Sequence, residues 1–202
     1  MSTISKIATQ QHQKDRFSIF LDGVYAFSLT GNELITAGLH TGQTLSAHEL
    51  ARVERLASEA AAYEKALSFI SLRARSVSEL RSYLEYRHHE SVEVTEAVIL
   101  KLSEVSLLDD LQFCRLWISD RANLKPSSKR RLSAELRTKG VQSEIIEQAL
   151  AEIAGNGELD AAIAIAQKKL NRYPDQRKLL QYLCGQGFAY ETAKKALEAV
   201  GA

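Results

Sequence analysis

The sequence predicts a mainly α-helical protein: three tandem three-helix repeats in an elongated array, behind a small N-terminal segment containing a β-hairpin. Three observations lead there. The 202 residues include only two prolines and ten glycines, too few for a loop-rich β fold. Hydrophobic periodicity changes near residue 46 from the alternation of strands to the three-and-four spacing of helices. And Leu132, Leu136, Gly140, Val141, Ile146, Ala149, Leu150 and Ile153 are answered 47 residues later by Leu179, Leu183, Gly187, Phe188, Ala193, Ala196, Leu197 and Val200.

The hairpin lies in residues 1–45. Arg16–Leu21 and Val24–Leu29 are rich in aromatic and β-branched residues and flank Asp22-Gly23, a pair suited to the positive φ angles of a type I′ turn. This register pairs Leu21 with Val24, Phe20 with Tyr25 and Ile19 with Ala26. Two strands alone are marginal in water, so Thr3–Thr9 is expected to add a third. Asn32–Leu39 is read as a short helix.

Residues 46–110 are read as a long helix followed by the first repeat. Ser46 and Glu49 form a capping box that opens a helix from Ala47 to about Leu72. Its expected apolar side is Leu50, Val53, Leu56, Ala60, Tyr63, Leu67 and Ile70. Ser76 and Glu79 form a second box ahead of Leu80 and Leu84, which begin the repeat pattern 52 residues before Leu132 and Leu136. Arg87–Glu93 is expected to be a polar loop, and Val94–Val105 a helix with Val98, Ile99 and Leu102 inward.

The second repeat occupies residues 111–155. Asp109 and Asp110 sit where a helix start needs acceptors for orphan N–H groups. Phe113, Leu116, Trp117 and Ile118 then share one face, which places Trp117 in the core. Pro126, Ser127 and Ser128 introduce a second, basic helix, and Gly140 is expected to end it in the left-handed conformation. Gly155-Asn156-Gly157 is read as a linker to the third repeat, residues 156–202, in which Gly187 plays the part of Gly140.

Charge is uneven. The formal net charge is only +1, yet Arg121–Lys139 holds seven Lys/Arg and a single acid, Glu135. With Leu132 and Leu136 inward, Lys129, Arg130 and Arg137 turn toward solvent or a partner. Arg73, Arg75, Arg81 and Arg87 in the first repeat, and Arg172, Arg177 and Lys178 in the third, occupy related places. A solvated face and a stripe for an anionic partner both account for this pattern.

Catalytic readings fail one by one. Asp109 and Asp110 are adjacent, so a helix splays them by about 100° and they do not converge as a dyad. His88-His89 has no Cys or helical His partner in spacing, and no GxSxG or GK[ST] motif follows any glycine cluster. No enzyme activity, cofactor or metal is expected. Cys114 and Cys184 lack ligand spacing and read as buried thiols of a reducing compartment. No signal segment or spanning run is evident, so a cytoplasmic protein without membrane contact is expected.

Three stretches also resemble a known family. Leu72-Arg73-Ala74-Arg75-Ser76 with Glu79-Leu80, then Leu107-Leu108-Asp109-Asp110 with Phe113, Trp117 and Arg121, and Leu132 with Glu135-Leu136 and Lys139-Gly140-Val141 are similar to the RecX family. The likeness is specific over about residues 60–155 and looser beyond, and the hairpin resembles the N-terminal extension of longer members. Cys114 departs from it, since a small residue such as Ala is usual there. The resemblance implies a non-enzymatic regulator that binds RecA recombinase, lies in the groove of its filament on single-stranded DNA, and modulates, most readily inhibits, ATP hydrolysis, strand exchange and co-protease activity in recombination and the SOS response. It also implies that Leu80, Phe113, Trp117, Leu136 and Gly140 hold the repeats together. The candidates for partner contact are Arg73, Arg75, Arg121, Lys125, Lys129, Arg130, Arg131, Arg137 and Lys139. Single- or double-stranded DNA is a further candidate partner, a monomer is expected, and the alternative reading is a stand-alone nucleic-acid-binding helical protein.

Overall fold

The computed structural model describes residues 1–10, 15–153 and 157–201. The chain divides into two compact units, Met1–Leu72 with Arg81–Glu104, and Arg73–Leu80 with Val105–Ala202.

In the first unit, β1 (Ser2–Thr9), β2 (Arg16–Leu21) and β3 (Val24–Thr30) form an antiparallel sheet. Helix α1 (Gly31–Ala37) follows, and the two-residue strand β4 (Thr44–Leu45) completes the order β3-β2-β1-β4. The third strand is as expected, whereas β4 is too short to leave a sequence signal. Asp22 and Gly23 take φ of 49° and 88°. The register holds for Leu21–Val24 and Phe20–Tyr25, but Ile19 then pairs with Phe27 and not with Ala26. A bulge absorbs Ala26. Without it, Phe27 and Leu29 would point away from the core; with it, both are buried beside Ile19.

Helix α2 (Ala47–Ser71) starts at the Ser46–Glu49 capping box, with both reciprocal hydrogen bonds present. Its fully buried positions are Val53, Ala57, Ala62 and Ala66. The larger residues expected there, Leu50, Leu56, Tyr63, Leu67 and Ile70, are only half-buried. Short side chains let α2 approach the sheet and α4 closely, so alanines line the contact. After α3 (Val77–Ser82), the residues Tyr83–Arg87 form a π-helical turn, in which Leu84 is buried. Tyr83 stacks on Phe69 at 3.9 Å between ring centres. The expected polar loop therefore shrinks to residues 88–91 before α4 (Val92–Glu104), whose Val98, Ile99 and Leu102 are buried as anticipated.

In the second unit, α5 (Asp110–Leu124), α6 (Lys129–Thr138) and α7 (Ser143–Ala151) are followed by α8 (Gly157–Lys169), α9 (Gln176–Gly185) and α10 (Tyr190–Ala199). Asp110 and Gly157, Lys129 and Gln176, and Ser143 and Tyr190 are each 47 residues apart, so the sequence repeat is a structural one. Of the linker Gly155-Asn156-Gly157, the first two residues lie outside the described residues, and Gly157 already belongs to α8. One core gathers Phe113, Cys114, Leu136, Val141, Ile146 and Ala149. The other replaces Val141 by Phe188 and Ile146 by Ala193, an exchange that conserves volume across the layer.

Candidate partner-binding surface

The basic run is built on a polar frame that anchors some of its cations and, among the described residues, leaves others out of any ion pair. At the start of α5, Asp109 caps the helix by accepting from the Leu111 and Gln112 N–H groups. Its neighbour Asp110 does something else: its Oδ1 accepts from the Val77 N–H at 2.9 Å, at the first turn of α3. One of the two acids thus caps its own helix and the other caps a neighbour.

Trp117 is half-buried and not a closed core residue as expected. Phe113 packs inside, while Leu116 is 45% exposed and is not part of the buried face. The physical reason is that α5 buries only a narrow stripe through Phe113 and Cys114. Trp117 lies at the stripe's margin, where its Nε1–H donates to Glu135 at 3.0 Å. The Arg121 guanidinium lies 4.6 Å from the Trp117 ring centre and the Lys139 ammonium 5.3 Å. Arg121 also donates to Glu135 at 2.7 Å. Glu135, the one acid of the basic run, therefore holds Trp117 and Arg121, with Arg131 a further 3.7 Å neighbour. Burial opposes its ionisation, but the hydrogen bonds from Arg121 and Trp117 and the charge of Arg121 lower its pKa.

The same logic recurs at α3. Glu79 accepts from both terminal guanidinium nitrogens of Arg73, at 2.9 and 3.0 Å, and from the Lys139 ammonium at 2.9 Å. Burial raises the Glu79 pKa, but these two cations more than reverse it and hold the carboxyl at about 2. In the folded state Glu79 thus ionises well below its value in the unfolded chain. Its contribution to stability is complete above about pH 4.5 and disappears as pH falls toward 2. With a side chain 17% exposed, and after allowance for solvent screening, the loss is expected to be on the order of 1–2 kcal/mol. Urea titrations of the wild type and Glu79→Gln at pH 7 and pH 3 check this: the difference between the two should be largest at pH 7 and clearly smaller at pH 3, on its way to vanishing near pH 2.

In the second unit, two buried serines each bridge two helix ends. Ser76 accepts from the Glu79 N–H, and its hydroxyl donates to the Lys139 carbonyl at 2.6 Å. Ser128 accepts from the Arg131 N–H and donates to the Gln186 carbonyl at 2.8 Å. Both serines are 0% exposed. Each is an N-cap that also satisfies the C-terminal carbonyl of the next repeat's middle helix, a task that needs a hydroxyl and excludes a carboxylate. At α9 the N-cap is Asp175, which accepts from the Arg177 N–H. Sequence reading identifies the serines only as caps, since nothing local marks the second bond.

Against this frame the candidate contacts fall into two groups. Arg73, Arg121 and Lys139 are engaged by Glu79 and Glu135. Arg131 donates to the Gln186 side chain at 2.6 Å. Arg75 is half-buried, and desolvation lowers its pKa. Lys125, Arg130 and Arg137 are exposed and in no ion pair among the described residues, and Lys129 is half-buried with its side chain likewise unpaired. Arg130 and Arg137, two turns apart on α6, share a face. In the third repeat Arg172 and Arg177 are exposed at the places of Lys125 and Arg130. Arg81, by contrast, is held by Glu96 at 2.8 Å.

Cys114 is buried, and burial first, then Asp110 and Asp109, pushes its thiol up to about 11, so it is a packing residue. No helix among the described residues is long and apolar enough to cross a membrane.

Comparison with known proteins places this arrangement. Residues 2–46 match the model for the regulatory protein RecX N-terminal domain, residues 62–102 that for the RecX first three-helix domain, and residues 109–150 that for the second. The regulatory protein RecX of Lactobacillus gasseri is 30% identical over 204 residues, covering 98% of this chain and 74% of that protein. That of Finegoldia magna is 30% identical over 191 residues, covering 91% and 93%. A crystal structure of regulatory protein RecX has a TM-score of 0.81 at 27% identity, over 98% of this chain and 100% of that one. The structure of RecX from Lactobacillus salivarius, at 22% identity and a TM-score of 0.65 over 71% of this chain, shares the fold. With its N-terminal sheet, its repeats and its Trp117–Glu135 frame all inside these matches, the chain belongs to the RecX family of regulatory proteins.

Proposed function

We propose that this protein is a non-enzymatic regulator of RecA recombinase that binds RecA and its filament on single-stranded DNA and restrains ATP hydrolysis, strand exchange and co-protease activity. It acts as a monomer in the cytoplasm, through the organisation expected from sequence: 1–45, 46–110, 111–155 and 156–202. The observation that carries this reading is a set of exposed cations, in no ion pair among the described residues, at equivalent positions of successive repeats. Lys125 and Arg130 on one repeat answer to Arg172 and Arg177 on the next, with Arg137 beside them. A periodic partner that offers acidic groups at regular intervals fits a periodic cationic surface. Arg121 ties α5 to α6 through Glu135, and Arg73 and Lys139 meet on Glu79 of α3, so these cations hold the helices that carry that surface.

Single-stranded-DNA-dependent ATP hydrolysis by RecA, titrated with this protein, tests the proposal. Activity should fall, and the combined variant Lys125→Ala/Arg130→Ala/Arg137→Ala should need at least tenfold more protein for the same effect, with an unchanged melting temperature. No change in hydrolysis and no capture of RecA by the folded protein would sink it. Tight, salt-sensitive DNA binding without RecA would favour the nucleic-acid-binding alternative.

A further inference from the structure

The first unit's sheet ends on β3, and the outer edge of that strand is hydrogen-bonded to no other strand among the described residues. Edge strands in native proteins are usually blunted by charge, proline or very short length, because unpaired amides and carbonyls invite another strand. β3 runs for seven residues, Val-Tyr-Ala-Phe-Ser-Leu-Thr, without a charge or a proline. Its one irregularity is the bulge at Ala26. Val24 and Tyr25 are 70% and 54% exposed, the highest values among the sheet's large apolar residues.

Beside this edge runs an open groove of about 350 Å³ between β3 and α2. Tyr25 and Ser28 line the strand side; Glu54, Ser58 and Ala61, on successive turns of α2, line the helix side. Small side chains on the helix leave room for a further backbone with short residues. At the far end along α2, Arg16 is neutralised by Glu64. Glu54 is exposed, with no ion pair among the described residues, and leaves the groove with a negative charge.

We propose that this groove receives an extended peptide segment of a partner protein, which adds to β3 as a fifth strand. Small apolar side chains of that segment rest against Ser58 and Ala61, and a lysine or arginine meets Glu54. The open edge selects a strand, since only an extended backbone satisfies a row of unpaired main-chain groups. A helix brings its own groups already bonded, and a phosphate backbone is repelled by Glu54.

The probe is a nine-residue synthetic peptide of alternating valine and alanine with terminal lysines, added to the full-length protein and followed by amide hydrogen exchange. Exchange within Val24–Thr30 is expected to slow at least tenfold. Glu54→Lys and Ala61→Phe should each weaken the peptide's apparent affinity at least tenfold while circular dichroism and melting temperature hold. Three results overturn the proposal: no slowing at millimolar peptide; equal slowing by a peptide with alternate N-methylated amides; or slowing that grows with protein concentration alone, which assigns the edge to a second copy of this chain. None of these outcomes bears on the RecA assay, which reads Lys125, Arg130 and Arg137.

Discussion

Gly140→Ala is expected to destabilise the protein by about 3 kcal/mol. Two effects add. Gly140 has φ of +74°, where an L side chain costs about 1 kcal/mol. In addition, a Cβ at this position would overlap the Ser78 side chain, and relieving that overlap in a packed site costs about 1–3 kcal/mol. Relief must move α3 away from the C-terminus of α6, which also strains the Ser76–Lys139 bond. The steric part can be isolated by a double-mutant cycle in urea. In a Ser78→Gly background the same Gly140→Ala change should cost only the backbone part, about 1 kcal/mol. Equal costs in both backgrounds would show that close approach plays no role and that the glycine serves conformation alone. Gly187 repeats the geometry, with φ of +93° and Ser128 and Arg130 in the place of Ser78. At the corresponding end of the first repeat, His89 takes φ of +55° while carrying a full side chain. The positive φ recurs in all three repeats, but glycine occurs only where a neighbouring helix end comes this close.

Trp117→Ala should cost a similar amount, about 3 kcal/mol, at the low end for loss of a large aromatic because the ring is only half-buried. The loss has named parts. The contact with Phe113, whose ring centre is 5.8 Å away, disappears, as do the Arg121 and Lys139 contacts with the ring face. Glu135 also loses its indole donor. Trp117→Phe keeps an aromatic ring but removes the donor and part of the apolar surface, so a smaller cost of about 1–2 kcal/mol is expected. Chemical denaturation of both variants, read beside RecA binding, separates structure from contact. A stable Trp117→Ala protein that nevertheless loses the proposed effect on RecA would move Trp117 from the frame to the interface.

Much of the architecture was legible in the chain. The Asp22-Gly23 turn, the Ser46–Glu49 and Ser76–Glu79 boxes, the Asp109 cap and the left-handed glycines are local signals, each set within a few residues by hydrogen bonding or sterics. The 47-residue repeat was readable because equivalent core positions must be apolar in every copy. The candidate surface was legible only as composition. Seven cations in Arg121–Lys139 announce a positive stretch, but not which of them are consumed internally. Glu79 and Lys139 are sixty residues apart in sequence, and Trp117 and Glu135 eighteen. Such partners leave no local trace beyond the oddity of a lone acid in a basic run.

By itself, then, the sequence determined the main helices and strands, most of their caps, the repeat and the family, because these depend on short-range geometry and on burial patterns that any single helix or strand displays; β4, the bulge in β3 and the turn at Tyr83–Arg87 were decided by packing. Tertiary structure alone decided the rest. It turned Ser76 and Ser128 from helix caps into bridges between helix ends and made Gly140 a point of contact. It divided one basic run into anchored cations, Arg121 and Lys139, and cations in no ion pair among the described residues, Lys125, Arg130 and Arg137. The physical reason is common to all of these: a side chain's charge or hydroxyl is fixed by its own residue, but whether that group is spent depends on what the fold brings within three ångströms of it.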